Sequence, residues 1–99
     1  MFVKESWFQH GLIKELKDRF PGCMVLKLDP YIDGIPDLLI LYKDRWATLE
    51  CKASAKAVHQ KFQDYYVDKM NKMSFSAFIF PENKEEVLND LQRALESGR

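Results

Sequence analysis

The first third of the chain shows a helical pattern of apolar residues, followed by a short strand pattern. Apolar side chains recur every four residues within residues 4–19, which predicts a helix. These side chains are Phe8, Leu12 and Leu16. Residues 23–28 form a short apolar run that predicts a strand, and Asp29-Pro30 ends it.

Two apolar runs in the middle of the chain predict a β-hairpin. They cover residues 37–42 and 46–52, and the polar residues 43–45 separate them. Turn chemistry precedes the first run, because Asp33-Gly34-Ile35-Pro36 combines residues that favour turns.

A second helix and a further strand are predicted after the hairpin. Within residues 58–73, apolar side chains recur at three- and four-residue spacing, as one helix face requires. They are Val58, Phe62, Tyr65, Tyr66, Met70 and Met73. Residues 75–80 are short, aromatic and closed by Pro81, which predicts a buried strand.

A third helix closes the predicted order of elements. Asn83 and Glu86 have the spacing of a capping box at its start, and Gly98 is placed to end it. Its apolar stripe consists of Val87, Leu88, Leu91 and Leu95. The predicted order is α-β-β-β-α-β-α. Residues 1–99 show no repeat or linker, so we expect a single α/β domain.

Length and composition narrow the class of protein. A chain of 99 residues with 46% hydrophobic content has the size of one globular domain of modest stability, which leaves a homodimer open. Cys23 and Cys51 lack the spacing of a zinc site or a disulfide framework, so we expect reduced thiols. The chain has no basic leader followed by an apolar run, and no stretch near ~20 apolar residues. We therefore expect a cytoplasmic protein without a membrane segment.

Charge distribution is more informative than net charge, which is zero. Residues 43–72 carry seven basic and four acidic groups, whereas the segments on either side are net acidic. Four lysines of this basic segment form either a phosphate-contacting face of the second helix or a merely solvated one. They are Lys56, Lys61, Lys69 and Lys72.

The hairpin can gather three charged groups on one face of the sheet. Glu50 and Lys52 share a face because side chains alternate along a strand. A two-residue turn at Lys43-Asp44 sets Asp37 opposite Glu50, and a turn at Asp44-Arg45 sets it opposite Lys52. Either register brings the three groups together, whereas a three-residue loop without a bulge would separate them.

Two carboxylates beside apolar strand residues favour a divalent cation, because unpaired charges there would be costly. Asp37 and Glu50 supply the oxygen ligands that Mg²⁺ prefers, and the backbone carbonyl of Cys51 is a third candidate ligand. Lys52 could then orient or deprotonate an attacking water and offset charge on the transition state. The alternative is a turn-ending Asp37 and a surface ion pair between Glu50 and Lys52.

Glu5 is a further candidate for this site. At ~100° per residue it falls in the middle of the apolar stripe of the first helix, so it points toward the sheet. As a residue of the opening turn, it could equally serve only to interact with the helix dipole.

These motifs resemble those of the PD-(D/E)XK nuclease superfamily. Residues 34–41 followed by Leu49-Glu50-Cys51-Lys52, with Glu5 on a preceding helix, are similar to its small VRR-NUC type, which is related to Holliday-junction resolvases and common in phages. The resemblance extends from Glu5 to roughly Gln63. It implies a restriction-endonuclease-like α-β-β-β-α-β core, to which this chain adds a C-terminal helix.

The resemblance also implies a function and a set of residues. Glu5, Asp37, Glu50 and Lys52 would form the active site with Mg²⁺, for which Mn²⁺ substitutes. Gln63, or less closely Gln60, would match a glutamine on the helix after the hairpin. The chain would then be an endonuclease that acts on branched or structured DNA, and Lys56 and Lys61 would contact the substrate. We expect a homodimer, located in the host cytoplasm if the protein is phage-encoded.

Two interpretations remain beside this one. The first is a nucleic-acid-binding or interaction module that keeps the fold without catalysis, and the second is a purely structural dimer. Four aromatic residues could stack on bases or pack in a core or dimer. They are Trp7, Trp46, Tyr65 and Tyr66. His10 and His59 lack ligand spacing and are expected at the surface.

Overall fold

The elements of the computed structural model, which describes residues 4–97, follow the order α-β-β-β-α-β-α. The helices are α1 (Glu5–Arg19), α2 (Gln63–Met73) and α3 (Lys84–Ser97), and a short 3₁₀ turn (Pro81–Asn83) precedes α3. The strands are β1 (Met24–Lys27), β2 (Leu38–Tyr42), β3 (Arg45–Cys51) and β4 (Phe75–Ile79). The predicted α/β class and element order are confirmed, and the arrangement is compatible with the expected core plus a C-terminal helix. None of the described helices is long and apolar enough to cross a membrane.

Within residues 4–97 the strands form one sheet in the order β1-β2-β3-β4. β1 and β3 flank β2 in antiparallel pairing, and β4 lies parallel to β3. Tyr42 pairs with Arg45, so the hairpin has the two-residue turn Lys43-Asp44, the first of the two expected registers. Continuing this register by one residue beyond the Leu38–Leu49 pair sets Asp37 opposite Glu50.

One face of the sheet carries the hydrophobic core. Alternate residues of β2 and β3 point to this face, and Leu38, Ile40 and Leu49 have no exposed surface. Leu12 and Leu16 of α1 pack on it, and so do apolar residues of α3. The α3 residues are Val87, Leu88, Leu91, Ala94 and Leu95. The stripes predicted for these two helices are therefore the ones that the protein buries.

The opposite face is covered by α2 over β3 and β4. The hydroxyl of Thr48 lies 2.7 Å from Oγ of Ser76 and 3.4 Å from Sδ of Met70, so this layer is partly polar. Val67 is the one α2 residue in the buried class among those described. Because Asp37, Glu50 and Lys52 belong to this face, the candidate site lies where the α2 side of the sheet ends.

The predicted start of α2 is wrong by five residues, because the helix begins at Gln63 and not at residue 58. Residues 53–62, which we call the arch, form turns and irregular structure. The carbonyl of Val58, which would accept a backbone bond in a helix, accepts instead from the buried ammonium of Lys52 at 3.1 Å. The need to satisfy that ammonium competes with helix formation in the arch.

The predicted apolar stripe of this region is consequently also wrong. Four of its six members are exposed to solvent, whereas Met70, which the stripe includes, and Val67, which it does not, face the sheet. The four exposed members are Val58, Phe62, Tyr65 and Met73.

The predicted capping box of the last helix does not form. The N–H of Asn83 donates to the carbonyl of Phe80 at 3.1 Å, so it is not free for Glu86. The side-chain oxygen of Asn83 accepts from the N–H of Phe80 at 2.9 Å. Asn83 thus closes the 3₁₀ turn rather than capping α3, and the predicted helix stop at Gly98 lies outside the described residues.

Gly34, in the loop before β2, lies in close backbone contact with the start of α2. Its φ is +87°, in the region that disfavours side chains, and a Cβ there would lie 2.5 Å from the carbonyl carbon of Phe62. The same Cβ would lie 2.8 Å from the backbone nitrogen of Gln63. The two backbones therefore meet at a distance that only glycine permits.

We predict that Gly34→Ala destabilises the fold by at least ~3 kcal/mol, because backbone strain adds to a backbone clash. Gly22→Ala is the matched control, since Gly22 has φ +90° but open space around its Cβ position. The control should lose only ~1 kcal/mol. Urea unfolding measures both, and equal losses would contradict a tight contact at Gly34.

Candidate functional site

Asp37 and Glu50 form a pair of carboxylates at one end of the sheet. Asp37 directly precedes β2, and its Oδ2 accepts the backbone N–H of Cys51 at 2.9 Å. Glu50 lies on β3 with only 2% of its surface exposed. The negative charge of Asp37 acts on Glu50 and raises its pKa, so the two carboxyl groups lie close together.

Glu50 is a buried carboxyl group with a raised pKa and an incomplete set of hydrogen bonds. Its Oε2 accepts from the side-chain nitrogen of Gln63 at 3.0 Å, whereas its buried Oε1 has no hydrogen-bond partner. Burial, followed by the proximity of Asp37, raises the pKa of Glu50 to about 8. Because two negative charges at close range repel each other, this buried carboxyl group needs either a proton or a cation to be compensated.

Lys52 supplies the positive charge nearest to this pair. It is 4% exposed, and its Nζ lies 4.0 Å from Oε2 of Glu50. The bond from Nζ to the Val58 carbonyl ties it to the arch. The ring of His59, the next residue, stacks on Phe78 at 3.9 Å and bonds Asp64 at 2.7 Å, which holds the arch against the sheet and α2.

The start of α1 brings Glu5 to the same end of the sheet. Burial and then Asp37 raise the pKa of Glu5, and Lys52 lowers it, so both charges act on its carboxylate. One turn further along α1, the side chain of Gln9 hydrogen-bonds the thiol of Cys51. Burial raises the pKa of that thiol far above its ordinary value, which makes Cys51 a poor nucleophile.

The backbone carbonyl of Cys51, the expected third oxygen, faces Asp37. The N–H of Cys51 points to Asp37, and in an antiparallel pair the N–H and C=O of one residue face the same neighbour. The next N–H, of Lys52, points the other way and donates to Ile79. The carbonyl is therefore on the side of the carboxylate pair.

The residues present fit a magnesium ion better than a soft metal. Residues 4–97 contain no cluster of three or more His, Cys, Asp or Glu arranged as a metal site. Mg²⁺ needs no such cluster, because proteins usually bind it through one or two carboxylates, with water and substrate phosphate completing the shell. The orphaned Oε1 of Glu50 is the specific observation that calls for a positive partner there.

Gln63 is placed in the site more firmly than the sequence indicated. Its side-chain oxygen accepts the N–H of Gln60 at 2.7 Å, which orients its nitrogen toward Glu50. Gln60 contributes this backbone N–H, and its side chain forms no hydrogen bond with the carboxylate pair in the described structure.

Two site groups were missed by sequence reasoning. Gln9 was not singled out, although it lies one turn after Glu5 on α1 and this spacing could have indicated it. The Val58 carbonyl carries no sequence signal, because every residue has the same backbone group.

The candidate lysines do not all lie on α2. Lys56 and Lys61 belong to the arch, whereas Lys69 is on the helix and Lys72 pairs with Asp68 at 3.1 Å. Of the aromatic candidates, Trp7 and Tyr65 are exposed, while Trp46 and Tyr66 are half-buried. His10 and His59 are exposed, as expected.

Comparison with known proteins gives no match: no protein-family model, no curated protein and no solved structure is similar enough to be recognised. Any functional inference must therefore come from the residues and the geometry described above.

We predict that Glu50→Gln stabilises the metal-free protein at high pH. Because folding raises the pKa of Glu50 from 4.5 to about 8, stability is fully present below the lower value and is lost as pH rises through the higher one. The neutral amide avoids this loss, so the variant should gain ~1–3 kcal/mol at about pH 9 and little at about pH 4.

Urea unfolding in the presence of a chelator measures this gain. Glu86→Gln is the control, since it removes an exposed carboxylate of α3. A gain of the same size at both pH values, or in the control, would contradict a buried, proton-binding Glu50.

Proposed function

We propose that this protein is a metal-dependent endonuclease of the PD-(D/E)XK type, which hydrolyses phosphodiester bonds in DNA. The observation that carries the proposal is the proximity of Asp37 and Glu50 at the end of the sheet, with Lys52 buried 4.0 Å from Glu50. These residues occupy the positions that the superfamily motif assigns to its active site. The order of elements around them supports the same assignment.

Asp37 and Glu50 would hold Mg²⁺ or Mn²⁺, with the Cys51 carbonyl and Glu5 as further oxygen donors. When bound, such an ion supplies Lewis-acid polarisation of a phosphate and acidifies water. In hydrolysis, water oxygen bonds to phosphorus, the bond from phosphorus to the leaving sugar oxygen breaks, and that oxygen takes a proton. The proton count balances because the attacking water loses one.

The remaining residues orient and compensate charge. The ammonium of Lys52 would donate to the attacking water or to a phosphate oxygen and offset the charge that grows there. Its bond to Val58 limits the positions it can adopt, which favours a fixed orientation. Gln63 holds one oxygen of Glu50, so the other oxygen is left for a ligand.

The wider setting belongs to the same proposal. We propose that the enzyme acts in the cytoplasm as a homodimer on branched or structured DNA. A domain of this size buries a modest share of its surface, and a dimer would add to it. Exposed lysines of the arch, Lys56 and Lys61, would contact phosphates beside the site.

We predict that Asp37→Asn and Lys52→Met each lower the rate of DNA cleavage by at least ~100-fold with Mg²⁺ or Mn²⁺, because each removes a group that acts on the transition state. Plasmid nicking and cleavage of synthetic junctions measure the rate. Asp44→Asn is the matched control, since Asp44 lies in the turn at the other end of the same hairpin. Equal cutting by all variants would contradict the proposal.

We also predict that the protein binds Mn²⁺ in calorimetry and that Asp37→Asn and Glu50→Gln each weaken this binding at least ~10-fold. Binding releases protons below about pH 8, because Glu50 must be ionised to act as a ligand. Asp44→Asn should bind as the wild type does. DNA binding in chelator without metal uptake would favour the non-catalytic binding module instead.

A further inference from the structure

Two exposed aromatic residues lie next to the candidate site at the start of α2. Phe62 directly precedes Gln63 and is 50% exposed, and Tyr65 in the first turn of α2 is 55% exposed. Each ring has a lysine ammonium nearby. Nζ of Lys61 lies 5.0 Å from the centre of the Phe62 ring, and Nζ of Lys69 lies 5.9 Å from that of Tyr65. We call these four residues the aromatic patch.

The backbone of Phe62 and the ring of Tyr65 each have a neighbour that restricts them. The backbone of Phe62 has φ +68°, an unusual conformation for an aromatic residue, and it packs against Gly34. The ring of Tyr65 lies edge-on to that of Tyr66 at 5.0 Å. Fixed rings lose less conformational entropy on binding a flat partner than mobile ones do.

The charge of the aromatic patch suits a phosphate backbone. In the described part of the chain, Lys61 and Lys69 form no ion pair with a carboxylate. The nearby acids Asp64 and Asp68 are occupied by His59 and Lys72. An exposed aromatic face beside an unpaired ammonium is the combination that single-strand binders use for stacking and charge neutralisation.

We propose that the aromatic patch binds an unpaired nucleic-acid strand by stacking bases on Phe62 and Tyr65. This inference rests on the proposed function, and it makes the substrate a strand with unpaired nucleotides beside the cleaved bond rather than continuous duplex. Bases within a duplex already stack on one another and leave no face for these rings. Gln63 follows Phe62 in the chain and donates to Glu50, so a stacked strand would lie beside the carboxylate pair.

Binding of fluorescent oligonucleotides to an Asp37→Asn background in chelator tests the inference. Phe62→Asn keeps a residue that tolerates positive φ while it removes the ring. This variant and Tyr65→Ala should each weaken binding of single-stranded oligothymidylate by about 5- to 100-fold and leave duplex binding within about 2-fold. Phe62→Trp should restore single-strand binding.

Trp7→Ala is the matched control for an exposed aromatic residue with a lysine over its ring. Trp7 is 66% exposed, and Lys4 lies 5.1 Å from its ring centre. At ~100° per residue it is turned about 200° around α1 from Glu5, which faces the site. Its loss should leave single-strand binding unchanged.

Three results would overturn the inference. They are unchanged single-strand binding in both ring variants, an equal loss of duplex and single-strand binding, and dissociation of a dimer by the ring variants in sedimentation, which would show that a second copy covers the patch. Cleavage separates this from the proposed function. If Phe62→Asn cleaves DNA at the wild-type rate and with the wild-type substrate preference, the inference is wrong and the proposed nuclease function stands. If the protein binds single strands selectively but cleaves no DNA, the nuclease function is wrong and the inference stands.

Discussion

The burial of Glu50 is the constraint on which the rest of the candidate site depends. A carboxylate with 2% exposure needs partners, and four separate parts of the fold provide or limit them. Asp37 comes from the start of β2, Lys52 from the end of β3 and Gln63 from the start of α2, while the charge of Glu5 reaches Glu50 from α1. One oxygen nevertheless stays unpaired, so the protein alone does not satisfy this group.

One face of the sheet carries the hydrophobic core that stabilises the fold, and the other face carries the candidate functional site. The face under α1 and α3 carries the hydrophobic core and buries Leu38, Ile40 and Leu49 without exposed surface. This core supplies the hydrophobic stabilisation that a domain of this size requires. It lets the other face carry two neighbouring carboxylates, a buried ammonium and exposed aromatic rings, each of which costs stability or adds little. Residues that reduce folding stability in this way are typical of functional sites.

The grouping of residues at the hairpin could be predicted from the sequence because it depends only on residues of the hairpin itself. Strand alternation and a short polar turn determine which residues share a face, so Asp37, Glu50 and Lys52 could be grouped without knowledge of the remaining chain. The arch could not be predicted this way. Its irregular path follows from a contact between Lys52 and the carbonyl of Val58, and periodicity does not reveal which backbone group a buried ammonium will use. Phe62 and Tyr65 belong to the predicted apolar stripe but are exposed, because Phe62 precedes the helix and α2 turns Val67 and Met70 to the sheet.

The start of α2 links the site to the surface around it. Gly34 is in close contact with the backbone of Phe62 and Gln63. This contact positions the backbone that carries both the exposed Phe62 ring and the Gln63 side chain, which bonds Glu50. Because Phe62 and Gln63 are neighbours, their positions cannot change independently of the loop that carries Gly34. That loop leads directly into Asp37, so the same chain segment that contacts the start of α2 also carries one of the two carboxylates.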